Sequence, residues 1–84
     1  MEKHEIGRIS HYFGKPGVAA IVLTDELAVG DTISVEGHTT DIETVVKSIQ
    51  IEHESVETAR AGDNVGIKVP DRVREHDVVY KLVE

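Results

Sequence analysis

The sequence predicts an all-β fold, closing or nearly closing into a small barrel of about six strands. Three observations carry that expectation. Short segments rich in Val, Ile and Thr alternate apolar with polar residues. Gly, Pro, Asp and Asn punctuate these segments at close intervals. The chain has 84 residues, enough for a single domain, 1–84, and too few to leave long sheet edges exposed.

The first strand runs from Glu5 to Phe13, with Ile6 and Ile9 apolar and Tyr12-Phe13 closing it. "GKPG" at 14–17 follows: Pro16 presets φ for the first central position of a type II turn, and Gly17 supplies the positive φ of the second. The return strand is Val18–Thr24, apolar almost throughout, as suits covered faces or small residues. "ELAVGD" turns at Gly30 into a strand at Thr32–Glu36, where Ile33 and Val35 alternate with polar neighbours. Residues 42–51 read two ways. Ile42, Val45, Val46 and Ile49 fit a helix, whereas Val45, Lys47, Ile49 and Ile51 fit a strand with a bulge, favoured by the β-branched content. Residues 52–64 form a connection with one turn of helix around Val56–Ala59, ending in the Gly62 turn. Val65, Ile67 and Val69 alternate around Gly66, which suits a barrel corner or a close backbone approach, and Pro70 ends that strand. The last strand is Val78–Val83.

Bulk properties narrow the function classes. The net charge is −7, a disadvantage for binding nucleic-acid phosphates. Cysteine is absent, which removes disulfides and thiolate metal sites and suits a reducing cytoplasm. The longest apolar run, Val18–Leu23, falls far short of the roughly 20 residues that span a bilayer. No secretory leader is read at the mixed, polar start Met1-Glu2-Lys3-His4-Glu5. A cytoplasmic protein without membrane contact is expected, as a monomer or weak homodimer.

"GRI" in the first strand, "LAVGDTISV", "VKSIQIEHESVETARAGDNVGI" and "REHDVVY" occur in an order that resembles the β-barrel second domain of translational GTPases such as elongation factor Tu. The resemblance covers residues 6–83 and is nearest to stand-alone translation elongation factor-like proteins; it extends to the barrel appended to collagenase-like peptidases. It implies a translation-protein-type barrel and a partner in the translation machinery: ribosomal RNA, tRNA or a translation protein. One departure is His76, where the family carries a Gly before the Asp. No G-x-x-x-x-G-K-[ST] loop occurs, so neither nucleotide binding nor GTP hydrolysis is expected.

Candidate site residues are few. Arg60, Lys68, Arg72 and Arg74 form the main basic concentration, able to touch RNA phosphates or a partner, against the simpler reading of loop charge balanced by Asp71, Glu75 and Asp77. His11 and Tyr12, with Phe13, offer base stacking or, more plainly, hairpin core. Glu52, His53 and Glu54 could ligate a metal or move a proton, but alternation along a strand would separate His53 from the two carboxylates. Gly17, Gly30, Gly62 and Gly66 are structural. The chain is thus expected to be a non-catalytic binding module of the translation machinery, without cofactor or metal. An accessory protein-interaction module, like the barrel of collagenase-like peptidases, is the alternative, and a small metal-dependent enzyme the third reading.

Overall fold

The computed structural model describes residues 2–83. Ten strands follow one another: β1 (Glu2–Phe13), β2 (Val18–Leu23), β3 (Leu27–Ala28), β4 (Thr32–Glu36), β5 (Asp41–Val45), β6 (Ile49–Ile51), β7 (Glu54–Val56), β8 (Thr58–Ala59), β9 (Asn64–Lys68) and β10 (Val78–Val83). The all-β expectation holds, and no helix occurs among the described residues. Eight strands make one antiparallel sheet in the order β5-β4-β10-β1-β2-β9-β6-β7, and β3 pairs with β8 in a separate ribbon.

β1 is the strand around which the sheet turns. Its first half pairs with β10, from Glu2↔Val83 to Arg8↔Val78, and its second half with β2, from Gly7↔Leu23 to Phe13↔Val18. Register irregularities fall between Glu5 and Gly7 on one side and between Ile9 and His11 on the other. An unpaired residue in a ladder bends the strand, and the first irregularity puts Ile6 and Gly7 successively on the buried side. Gly7 is required by a close approach: a Cβ there would lie 2.5 Å from the Val22 carbonyl oxygen.

The expected closed barrel is not formed, because β5 and β7 end the sheet without pairing to each other. The sheet is nevertheless strongly curled. β5 and β6 stand six places apart in the order, about 29 Å in a flat sheet. Only Val46-Lys47-Ser48 joins them, a link reaching at most about 15 Å from Val45 to Ile49. Val46 holds that link inward: its side chain is fully buried, its N–H donates to the Asp31 carbonyl at 2.8 Å, and its carbonyl accepts from the Gly30 N–H at 2.8 Å. This detour splits the segment 42–51 into two strands, so neither the helix nor the single bulged strand forms there. The turn of helix expected around Val56–Ala59 is likewise replaced by β7 and β8.

The curled sheet encloses an aliphatic interior. Ile6, Ile9, Ile21, Leu23, Leu27, Ile33, Val35, Val46, Ile49, Ile67, Val73 and Val79 are fully buried. Tyr12 packs against this core from its edge. Phe13 does not join it and is 48% exposed.

Three turns share one construction. In 28–31, 60–63 and 74–77 the terminal Asp N–H donates to the carbonyl of the first residue, and the Asp carboxylate accepts that residue's N–H. Each third residue has positive φ: Gly30 at 99°, Gly62 at 94° and His76 at 74°. His76 therefore adopts the backbone that Gly30 and Gly62 take in the other two turns, although L residues with a Cβ disfavour it. The turn is clamped to β1, where Ile9 accepts the His76 N–H at 2.8 Å and donates to Asp77 at 2.9 Å. "GKPG" differs from its expectation: Gly17, at φ 67°, donates to Phe13 at 2.9 Å, closing a longer turn than type II.

On the outer face Lys3 and Glu36 form an ion pair across β10, and the Ser34 hydroxyl donates to Glu36 at 2.9 Å. The hydrogen bond from Lys3, then that from Ser34, holds the Glu36 carboxyl below the usual carboxylate range. The bond to Glu36 also raises the Lys3 ammonium above its ordinary value.

Two outcomes follow. Urea unfolding should show Gly62→Ala destabilised by about 1–2 kcal/mol and His76→Gly unchanged or stabilised by up to about 1 kcal/mol; equal losses in both would remove the strain argument. The depressed Glu36 contributes stability at neutral pH that disappears as pH falls through its folded value, while the raised Lys3 loses its contribution only as pH rises past its own. Between about pH 6 and about pH 3, the urea midpoint of Glu36→Gln should therefore fall less than that of the parent; equal falls would show the pair to be inert.

Candidate binding groove

β2 alternates. Ala19, Ile21 and Leu23 point inward and are buried, while Val18, Ala20 and Val22 face outward. Of the two readings the sequence allows, covered faces or small residues, the first does not hold for the outward face, and the second fits Ala20 but not Val18 or Val22. The outward face stays apolar, with Val22 42% exposed. Its centre is low because Ala20 lies opposite Gly66 of β9. Phe13 and Pro16 wall one end, and Gln50, Glu52, His53 and Asn64 form the rest of the rim. Together they outline a groove of about 420 Å³, within the range of ligand-binding clefts.

Gly66 is not explained by backbone geometry. It lacks the positive φ of the turn glycines, and β9 pairs with β2 in unbroken register through it. The barrel corner expected at this residue is therefore absent. A Cβ would meet Val18 Cγ1 at 3.3 Å and the Gln50 carbonyl at 4.0 Å, a tight fit that a small shift of a side chain would relieve. Its absence keeps the groove floor open. A glycine within a strand with no turn residue beside it was the available signal.

The rim carries strain. Glu52 and His53 form the two-residue loop between Ile51 and Glu54, with φ of 50° and 68°. Positive φ at both positions marks the type I′ turn, normally built from Asn and Gly. The strand alternation expected for Glu52-His53-Glu54 does not apply, since the first two are turn residues at an exposed hairpin tip. No group of three metal-ligating side chains forms among the described residues.

The basic residues are dispersed. Arg72 and Arg74 meet His11 and Tyr12 around a separate cleft of about 370 Å³. His11 stacks edge-on against Phe13, with ring centroids 4.5 Å apart. Arg60 lies instead in a polar cleft with Asp31, Asp63 and Lys81. Lys68 borders a shallow depression beside Val45 and Pro70. No helix among the described residues is long and apolar enough to cross a membrane.

No family model matches the chain. An uncharacterized protease of Methanocaldococcus jannaschii is 49% identical over 83 residues, covering 98% of this chain and 20% of that protein. A collagenase of Porphyromonas gingivalis is 35% identical over 83 residues, covering 96% of this chain and 23% of the collagenase. The crystal structure of the C-terminal domain of a candidate U32 peptidase from Geobacillus thermoleovorans superposes with a TM-score of 0.88 at 20% identity, over 94% of this chain and 92% of that domain. Its selenomethionine variant gives 0.86 at 19% identity.

These similarities correct the expected kinship with stand-alone translation elongation factor-like proteins, and with it the expected partners, ribosomal RNA, tRNA or a translation protein. The motifs behind that expectation, "LAVGDTISV", "VKSIQIEHESVETARAGDNVGI" and "REHDVVY", each contain one of the three carboxylate-closed turns. They therefore report a backbone construction rather than a partner. The chain spans about one fifth of the length of these curated relatives. In sequence it is similar, nearly end to end, to a segment of protease and collagenase chains, and in fold to the C-terminal domain of a U32 peptidase.

Proposed function

We propose that the chain is a non-catalytic accessory module that binds protein and serves the catalytic part of a collagenase-like peptidase. The observation carrying this reading is the extent of the match: almost the whole chain corresponds to about a fifth of each relative, leaving about four fifths of each for other work. The exposed apolar groove supports a role in protein contact, since contiguous exposed apolar surface commonly marks such sites. The dispersal of Arg60 and Lys68 away from Arg72 and Arg74, with a net charge of −7, supports protein rather than phosphate as the contact. A cysteine-free sequence suits the reducing cytoplasm in which we place it.

The test uses the Porphyromonas gingivalis collagenase with its matching segment deleted, and again with this chain in its place. Deletion should lower kcat/KM on gelatin by about tenfold or more while leaving a short peptide substrate within about twofold. This chain should restore gelatin cleavage. Loss of both activities would make the segment part of the catalytic unit, and loss of neither would make it dispensable; either result contradicts the proposal, as would hydrolysis by the isolated 84-residue chain.

A further inference from the structure

We propose that the groove over Ala20 and Gly66 takes an extended peptide segment bearing an apolar side chain two residues from a lysine or arginine, the spacing that puts both on one face of an extended chain. The inference rests on the accessory-module reading and names the surface and the ligand chemistry. The apolar lining, Val18, Ala20 and Gly66 with Phe13 and Pro16 walling one end, offers an apolar side chain a place to leave water. Val18 is partly buried and Phe13 is 48% exposed, so occupancy would desolvate surface that folding leaves wet.

The rim chooses the kind of ligand. The side-chain amides of Gln50 and Asn64 border the groove, and neither forms a hydrogen bond among the described residues. A primary amide both donates and accepts, so it can pair with the N–H and C=O of an extended peptide backbone. Among the described residues, Glu52 is the only carboxylate lining the groove and has no ion-pair partner. A carboxylate on the rim of an apolar cleft, in a chain of net charge −7, favours a cationic side chain and opposes a phosphate.

Two departures from ordinary backbone economy fall on this one site. Gly66 weakens β9 where neither φ nor register requires glycine. Glu52 and His53 occupy left-handed conformations that place them on the rim, a form of local strain that persists where surrounding structure enforces it and concentrates at functional positions. Glycine keeps the floor low, and the strained hairpin sets the charged wall.

The probe is the acetylated, amidated peptide Thr-Lys-Thr-Phe-Val, titrated into the 15N-labelled chain and followed by amide chemical shifts. Saturable shifts are expected at Ala20, Gln50, His53, Asn64 and Gly66. Replacing the peptide's Phe by Gly, or its Lys by Glu, should weaken binding by about tenfold. Ala20→Ile fills the groove with a β-branched side chain on an outward position; it should weaken binding by at least about tenfold without lowering the urea midpoint. Glu52→Lys should reverse the preference between the Lys and Glu peptides, which keeps the test decisive if Ala20→Ile folds poorly. The proposal is overturned if no saturable shift appears, if shifts map elsewhere, or if Glu52→Lys leaves the preference unchanged. It is equally overturned if the same amides shift on concentrating the chain alone, marking a self-association face, or respond to a single-stranded oligonucleotide instead. The titration contains no protease. Failure here with a positive collagenase replacement removes the groove assignment alone, while binding here with a negative replacement removes only the accessory reading.

Discussion

Val46 holds the molecule in its curled form. It leaves the sheet ladder to exchange hydrogen bonds with Gly30 and Asp31 while burying its side chain completely. The three residues from Val46 to Ser48 then join strands that would lie about 29 Å apart in a flat sheet. The sheet must bend, and β1 provides the bend through its two register irregularities and the close passage of Gly7 beneath the Val22 carbonyl. An all-aliphatic core can then fill the interior without aromatic side chains. For a chain of this size, curling lets a single sheet bury both of its halves against each other.

The same economy shapes the outside. Three turns close themselves by a carboxylate that caps the backbone it follows, and all three lead directly into strands of the main sheet. Rigid turns of this kind free the remaining surface from structural duty. The outward face of β2 carries no ion pair and no covering strand, and its apolar residues meet solvent across the Ala20–Gly66 depression. Protein contact follows more naturally from that face than from scattered cations whose neighbours include acids, such as Arg60 beside Asp31 and Asp63.

Turn chemistry and alternation made much of the fold legible in the sequence. Thr32–Glu36 and Val78–Val83 coincide with β4 and β10, because the first alternates cleanly between polar and apolar neighbours and the second is a Val- and Tyr-rich run bounded by the charged loop before it. The break at Val46 was not legible: β-branched residues continue through it, and only tertiary hydrogen bonds pull it from the ladder. Phe13 was misplaced for the converse reason, since aromatic content favours burial but the adjoining hairpin turns this ring outward. The left-handed Glu52 and His53 break the residue preference of their turn. Functional reasoning went astray where shared backbone motifs were read as a shared partner. The groove escaped notice because depth arises from small residues meeting across strands, which linear periodicity does not encode.

Amide hydrogen exchange at Gly30 and Val46 offers the sharpest view of whether this shell is preformed. If the hydrogen bonds from the Gly30 N–H to Val46 and from the Val46 N–H to Asp31 close the curl, both amides exchange only through global unfolding, with the free energy of the slowest amides of β1 and β2. Rapid exchange at Gly30 and Val46 while those β1 and β2 amides remain protected would contradict it, showing a sheet whose ends open independently and a groove without a fixed frame.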